Sequence, residues 1–156
     1  MYCYSRDCSQ PAKKRRGFPF AHCPIPGNSD LFRISSFGFP APPGCEYCHL
    51  PQQFSELRFH VEHIIPRQHV GNDDAENLAL ACPACNLVKG PNLTGVEPGT
   101  HQVVRLFHPR RDKWTEHFAP DGALIGGKTP VGRVTVALLR MNDEQRQRVR
   151  ALIAGT

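Results

Sequence analysis

Cys45-Glu46-Tyr47-Cys48, Arg58-Phe59-His60-Val61-Glu62-His63-Ile64-Ile65-Pro66 and Asn77-Leu78-Ala79-Leu80-Ala81-Cys82-Pro83-Ala84-Cys85-Asn86-Leu87-Val88-Lys89-Gly90 decide how this 156-residue chain is read. Two CxxC pairs stand 33 residues apart. Two residues between cysteines let both thiolates reach one ion from a tight turn, and two such turns close a tetrahedral shell. Cys45, Cys48, Cys82 and Cys85 are the predicted ligands of a structural Zn²⁺. Such a closed shell keeps no open position, and its binding energy goes into folding because the unfolded chain has no preformed site. The competing readings are a redox CxxC and buried free thiols. Pairing of the two motifs at a domain-sized separation favours zinc.

The segments between the cysteines order themselves as strand, loop, strand, helix. Residues 58–65 are rich in β-branched and aromatic side chains and read as a strand stopped by Pro66. Residues 67–76 form a polar, Gly-containing loop. Residues 77–81 make a second strand, and Pro83 opens a short helix that ends at Gly90-Pro91. Beyond it, residues 102–107 read as a strand. Residues 114–118 and 123–125 flank a turn at 119–122 and suggest a hairpin. Thr129 caps a helix that opens with Pro130 and runs to about Arg140. Asn142 caps a last helix in which Val149, Leu152 and Ile153 form the packing face, with Arg146, Arg148 and Arg150 spread over the rest.

Outward from this centre the charge changes sign. The net charge of +5 divides into +4 for residues 1–44, −3 for 45–90 and +4 for 91–156. An acidic middle that holds cations, between basic flanks that meet a polyanion, has this pattern. Residues 1–44 hold the run Lys13-Lys14-Arg15-Arg16 and seven of the 15 prolines, and read as a basic, flexible arm. Leu31–Phe39 could form a short strand there, while Cys3, Cys8 and Cys23 lack knuckle spacing. No apolar run is long enough for a membrane span, and the basic run is not followed by the apolar stretch of a signal peptide. A cytoplasmic protein is the expectation, and the odd count of seven cysteines points towards metal rather than disulfides.

The segment CEYC…FHVEHIIP…NLALACPACNLVKG resembles the HNH endonucleases, whose active site is a ββα-metal motif. The likeness covers residues 45–90. It implies that His63 is the general base and that Glu62, where the family more often has Asp, is the first metal ligand. Asn77 matches the Asn that pins the loop between the strands. Asn86 matches the second metal ligand, where many relatives carry His. Both departures favour an oxygen-liking cation, Mg²⁺ or Mn²⁺. Residues 106–118 with Gly127-Lys128-Thr129 and Val131-Gly132-Arg133 look like the extension of small stand-alone bacterial HNH proteins. Relatives of this kind commonly enter the first knuckle from a helix, which Pro40, Pro42, Pro43 and Gly44 preclude here.

These residue types suit phosphodiester hydrolysis. Histidine is neutral near pH 7 and can take a proton from water. A cation held by Glu62 and Asn86 would neutralise charge at phosphorus and stabilise the leaving 3′ oxygen. Lys89 shares a helical face with Asn86 and could hold a phosphate, or be a solvated helix-end lysine. Arg110, Arg111 and Lys113 could contact phosphates, or decorate a structural hairpin, with Trp114 and Phe118 packing the extension. His60 and His69 are auxiliary candidates, with a packed His60 and an exposed His69 as their plain alternatives; His49 reads as surface.

The expected fold is α+β, a zinc-stapled ββα core (45–90) with a C-terminal β-hairpin and helical extension (91–156) packed on it. The expected function is endonucleolytic cleavage of DNA, with RNA a lesser possibility, leaving 5′-phosphate ends by family analogy. The rival is a non-catalytic zinc-knuckle module that binds DNA or RNA, and a purely structural zinc protein comes third. One active site per chain predicts nicking unless the protein dimerises.

Overall fold

The computed structural model describes residues 44–155. The expectations for the Pro-rich arm, for Leu31–Phe39 and for Cys3, Cys8 and Cys23 lie outside them. The described chain is α+β, built from three antiparallel strand pairs and four helices. Strand β1 (His60–His63) pairs with β2 (Leu78–Ala81), placing His63 opposite Leu78 and Glu62 opposite Ala79. Helix α1 (Pro83–Lys89) packs against both, which completes the ββα unit.

Each end of α1 has a local cause. Cys82 is its N-cap: the sulfur accepts from the Cys85 amide at 3.4 Å, so the knuckle and the helix start are one turn. Pro83 occupies the first turn, where its missing N–H costs nothing. Gly90 ends the helix with a positive φ of 45°. The first knuckle is fixed to the same sheet, with the Glu46 amide donating to Leu80 O at 2.8 Å and its carboxylate accepting from Leu80 N at 2.8 Å.

The extension contains a strand that the sequence reading passed over, β3 (Thr94–Val96), which pairs with β4 (Val103–Arg105). Gly95 disguises it. A Cβ there would lie 2.8 Å from Val134 and Leu138, so glycine is what lets the helix α3 (Pro130–Leu138) approach the strand. The expected hairpin is present in a different register. Residues 114–117 are a helical turn, α2 (Trp114–His117), and the strands are β5 (Phe118–Asp121) and β6 (Leu124–Gly127), joined at Gly122-Ala123. The aromatics at 114 and 118 are four apart, a helical spacing read as strand composition.

Thr129 caps α3 as expected, its hydroxyl accepting from Gly132 N at 3.1 Å. The last helix, α4 (Glu144–Ala154), starts one residue later than expected, with Asp143 at its N-cap. Asn142 instead acts as a strand partner: its side chain accepts from Ile125 N and donates to Ile125 O, both at 2.9 Å. The expected packing face of α4 is corrected too. Leu152 is 68% exposed, whereas Arg146 is the buried residue of the helix.

One apolar cluster underlies both the ββα unit and the extension, with Tyr47, Phe59, Ile64, Phe107, Phe118, Ile125, Leu139 and Met141 among its members. Trp114 joins the two parts. Its ring stacks on His49 with centroids 4.3 Å apart, and its indole N–H donates to Tyr47 O at 2.9 Å. Among the described residues no helix is long and apolar enough to cross a membrane.

Candidate active site and cysteine cluster

The sulfurs of Cys45, Cys48, Cys82 and Cys85 lie within 4.8 Å of one another, and all four residues are buried. A tetrahedral Zn²⁺ at a Zn–S distance of about 2.3 Å needs sulfurs about 3.8 Å apart. Cys48 and Cys82 stand at 3.8 Å. The donor set therefore fits zinc in type, number and spacing. Charge supports the fit. Burial pushes the Cys45 thiol up and the neighbouring sulfurs push Cys85 up, while they hold Cys48 and Cys82 down, and a cation among them would offset the charge of four thiolates. The Arg146 guanidinium, 9% exposed, donates to Cys85 Sγ at 3.5 Å and faces the surplus negative charge of a four-thiolate centre.

His63 ends β1 and is partly exposed. Its Nε2 lies 2.7 Å from Asp73 Oδ1. The hydrogen bond from His63, and then the Arg67 guanidinium, hold the Asp73 carboxyl below its usual range, so Asp73 is the acceptor. His63 Nε2 is then the donor, and Nδ1 makes no hydrogen bond among the described residues. Asp73, ten residues downstream in a loop read only as polar, gave no sequence signal beyond its charge.

Asn77 is buried at the head of β2 and fastens that loop by three bonds. It accepts from Ile65 N at 2.8 Å and donates to Ile65 O at 3.0 Å and Asn72 O at 2.8 Å. Gly71 completes the closure, since a Cβ there would fall 1.7 Å from Ile65 O.

Glu62 turns inward beside His63 and is 7% exposed. The Tyr47 hydroxyl donates to Oε1, and the Lys89 ammonium sits 3.3 Å from Oε2. Burial raises the Glu62 carboxyl against the lowering by Lys89 and Tyr47. Burial and the Glu62 charge push the Tyr47 phenol well up, which keeps it a donor. Lys89 is 1% exposed and also donates to His63 O at 3.1 Å. Both expectations for it, a phosphate contact and a solvated helix end, are corrected, because the buried carboxylate demands a partner and recruits the nearest cation. Asn86, one turn before Lys89, is partly buried, and its side chain makes no hydrogen bond among the described residues. Glu62 and Asn86 carry oxygen donors of the type Mg²⁺ and Mn²⁺ take, and both Glu62 oxygens are engaged by Tyr47 and Lys89.

The remaining candidates separate. His60 and His69 are exposed, His60 in spite of sharing a strand face with Glu62, and His69 lies in the turn Arg67–His69. Arg110 does not point to solvent for a phosphate: it pairs with Glu46, donating to Oε1 at 2.8 Å, and ties the extension to the first knuckle. Lys113 is an exposed side chain paired with Glu116 at 3.2 Å. Arg111 makes no side-chain hydrogen bond or ion pair among the described residues, and it borders a cavity of about 350 Å³ lined also by Ile64, Ile65, Lys89 and His108.

Residues 45–92 match the family model described as HNH endonuclease. That segment, with its ββα order and its cysteine cluster, is similar to the HNH domain, and such a domain points to a nuclease with nucleic acid as its substrate class. No curated protein and no solved structure matches the chain.

Proposed function

We propose that this chain is a metal-dependent endonuclease that hydrolyses phosphodiester bonds of DNA. The observation that carries the reading is His63 at the end of β1, bound through Nε2 to Asp73 and next in sequence to the buried Glu62. His63 takes a proton from the attacking water at Nδ1, and the Asp73 carboxylate holds the ring and stabilises the imidazolium that forms. Glu62 and Asn86 are the residues that would hold a divalent cation, Mg²⁺ or Mn²⁺. Bound there, it would neutralise charge at phosphorus and stabilise the leaving 3′ oxygen. Asn77 keeps the loop, and with it Asp73, in register with His63. Arg111, whose side chain makes no hydrogen bond or ion pair among the described residues, meets a neighbouring phosphate, and zinc at the four cysteines keeps the two knuckles together. Residues 45–90 carry the chemistry and 91–156 support it. A cytoplasmic setting, with DNA at hand and 5′-phosphate products, belongs to the same reading.

One observation favours a second reading. Lys89 already neutralises Glu62, as a site that binds nucleic acid without cutting it would allow. Plasmid cleavage by the zinc-loaded protein with Mg²⁺ or Mn²⁺, beside His63→Ala checked for retained zinc, separates the two. The nuclease reading expects nicking by the wild type and a loss of about 10²–10⁴-fold in the variant. DNA binding with no cleavage by either protein, whatever the metal, would establish the binding module.

A further inference from the structure

The two most exposed large apolar side chains among the described residues are Val70, 94% accessible, and Leu87, 82%. Both adjoin the site. Leu87 follows Asn86 on α1, and Val70 closes the turn Arg67–His69 in the loop that Asp73 and Asn77 fasten to His63 and Ile65. Val70 is also strained. It has φ 63° and ψ 25°, the left-handed region where a β-branched residue is an outlier. Glycine or asparagine would adopt that conformation at lower cost. Lying in water, Val70 recovers nothing from packing, and strain that returns no folding energy is a feature of functional positions.

We propose that Val70 and Leu87 are apolar contacts to the substrate, one presented by the loop next to His63 and the other by the helix next to Asn86. They seat against the sugar and base surface of the nucleic acid flanking the phosphate that the site addresses. The inference rests on the nuclease reading. Nucleic acid is the occupant because both apolar residues adjoin groups suited to a phosphodiester, Val70 through the loop bound to His63 and Leu87 through the helix that carries Asn86. Charged side chains meet phosphates, whereas sugar and base faces are the surfaces that apolar residues cover in a groove.

The test uses the full zinc-loaded chain. DNA binding is measured by fluorescence anisotropy in the His63→Ala background between about 50 and 200 mM salt, with thermal melting in parallel. Val70→Asn relieves the strain and removes the apolar surface. It is expected to melt about 2–5 °C higher and to bind about tenfold more weakly, the worth of one buried valine. The salt slope should stay unchanged, because no phosphate contact is lost. Val70→Ile should keep wild-type affinity, and Leu87→Gln should weaken binding without lowering the melting temperature. Wild-type affinity in Val70→Asn overturns the inference, as does a loss accompanied by a shallower salt slope. Plasmid cleavage keeps the two readings apart. If the wild type cuts in a His63-dependent way and Val70→Asn binds normally, the apolar contact alone falls. If the wild type binds in a Val70-dependent way and never cuts, the nuclease reading alone falls. A wild type that neither cuts nor binds removes both.

Discussion

Glu62, Lys89 and Tyr47 share one buried pocket, in which a carboxylate is matched by an ammonium and a phenol. Removing one member of such a set strands a charge out of water. Lys89→Met is therefore expected to destabilise the protein by about 3–5 kcal/mol, read as a lower urea midpoint. Asp73→Asn tests a different property. Asp73 is exposed and contributes little to the fold, but an amide can no longer insist on the Nε2–H tautomer of His63. We expect cleavage to fall about tenfold, less than the whole of general-base catalysis, with zinc content and melting unchanged. His63 and Asn77 were singled out by the resemblance to the HNH family, whereas the four cysteines were legible in the sequence because their chemistry depends on spacing along the chain. The burial of Lys89 and the role of Asp73 were not, because each follows from a partner met only after folding. A lysine at a helix end reads as solvated until the carboxylate beneath it is known.

Among the elements, the loop between β1 and β2 is closed by contacts with no slack. Gly71→Ala would drive a methyl group into the Ile65 carbonyl, so both stability and His63-dependent cleavage should drop together. The C-terminal helix shows another dependence. Arg146 faces Cys85, and Arg150 donates to Ala123 O at 2.6 Å and Met141 O at 2.7 Å. Charge and hydrogen bonds thus seat α4 where an apolar face was expected. Stripping zinc with a chelator should make α4 the first segment cut in limited proteolysis, and Arg146→Met should release zinc faster to a competing chelator. α1 and α3 were readable from Pro, the capping residues and Gly90, all local signals. β3 was hidden by a glycine that serves a neighbouring helix, and α2 by aromatics whose helical spacing spans a single turn.

At the scale of the whole molecule, the extension is bound to the ββα unit by polar ties as well as the shared core. Arg110 grips Glu46, and the Trp114 indole N–H donates to Tyr47 O at 2.9 Å. Glu97, buried between β3 and α3, is held at about 2 by Arg133 and Thr100, below its ordinary 4.5. The folded state then binds fewer protons than the unfolded chain between those values. The contribution of Glu97 is complete above about pH 4.5 and drains away as pH falls towards 2. Urea midpoints across this range should lose that part of their acid slope in Glu97→Gln. The basic flanks predicted a polyanion partner from charge alone, yet folding commits Arg110 and Arg133 to internal carboxylates. Arg111→Ala should accordingly flatten the salt dependence of DNA binding by about one unit of slope. Composition counts charges; it cannot say which of them the fold has already spent.

Trp114 is the one tryptophan in the chain, and it lies where the first knuckle meets the extension, stacked on His49. The molecule thus carries its own fluorophore at the joint between its two halves. Parting of the knuckle from the extension would wet the indole and shift its emission to the red. Burial lowers the His49 imidazole below its ordinary 6.5, so acid below that value should charge the stacked ring and dim the same signal. Colour then reports the joint and brightness reports the histidine, with no label attached.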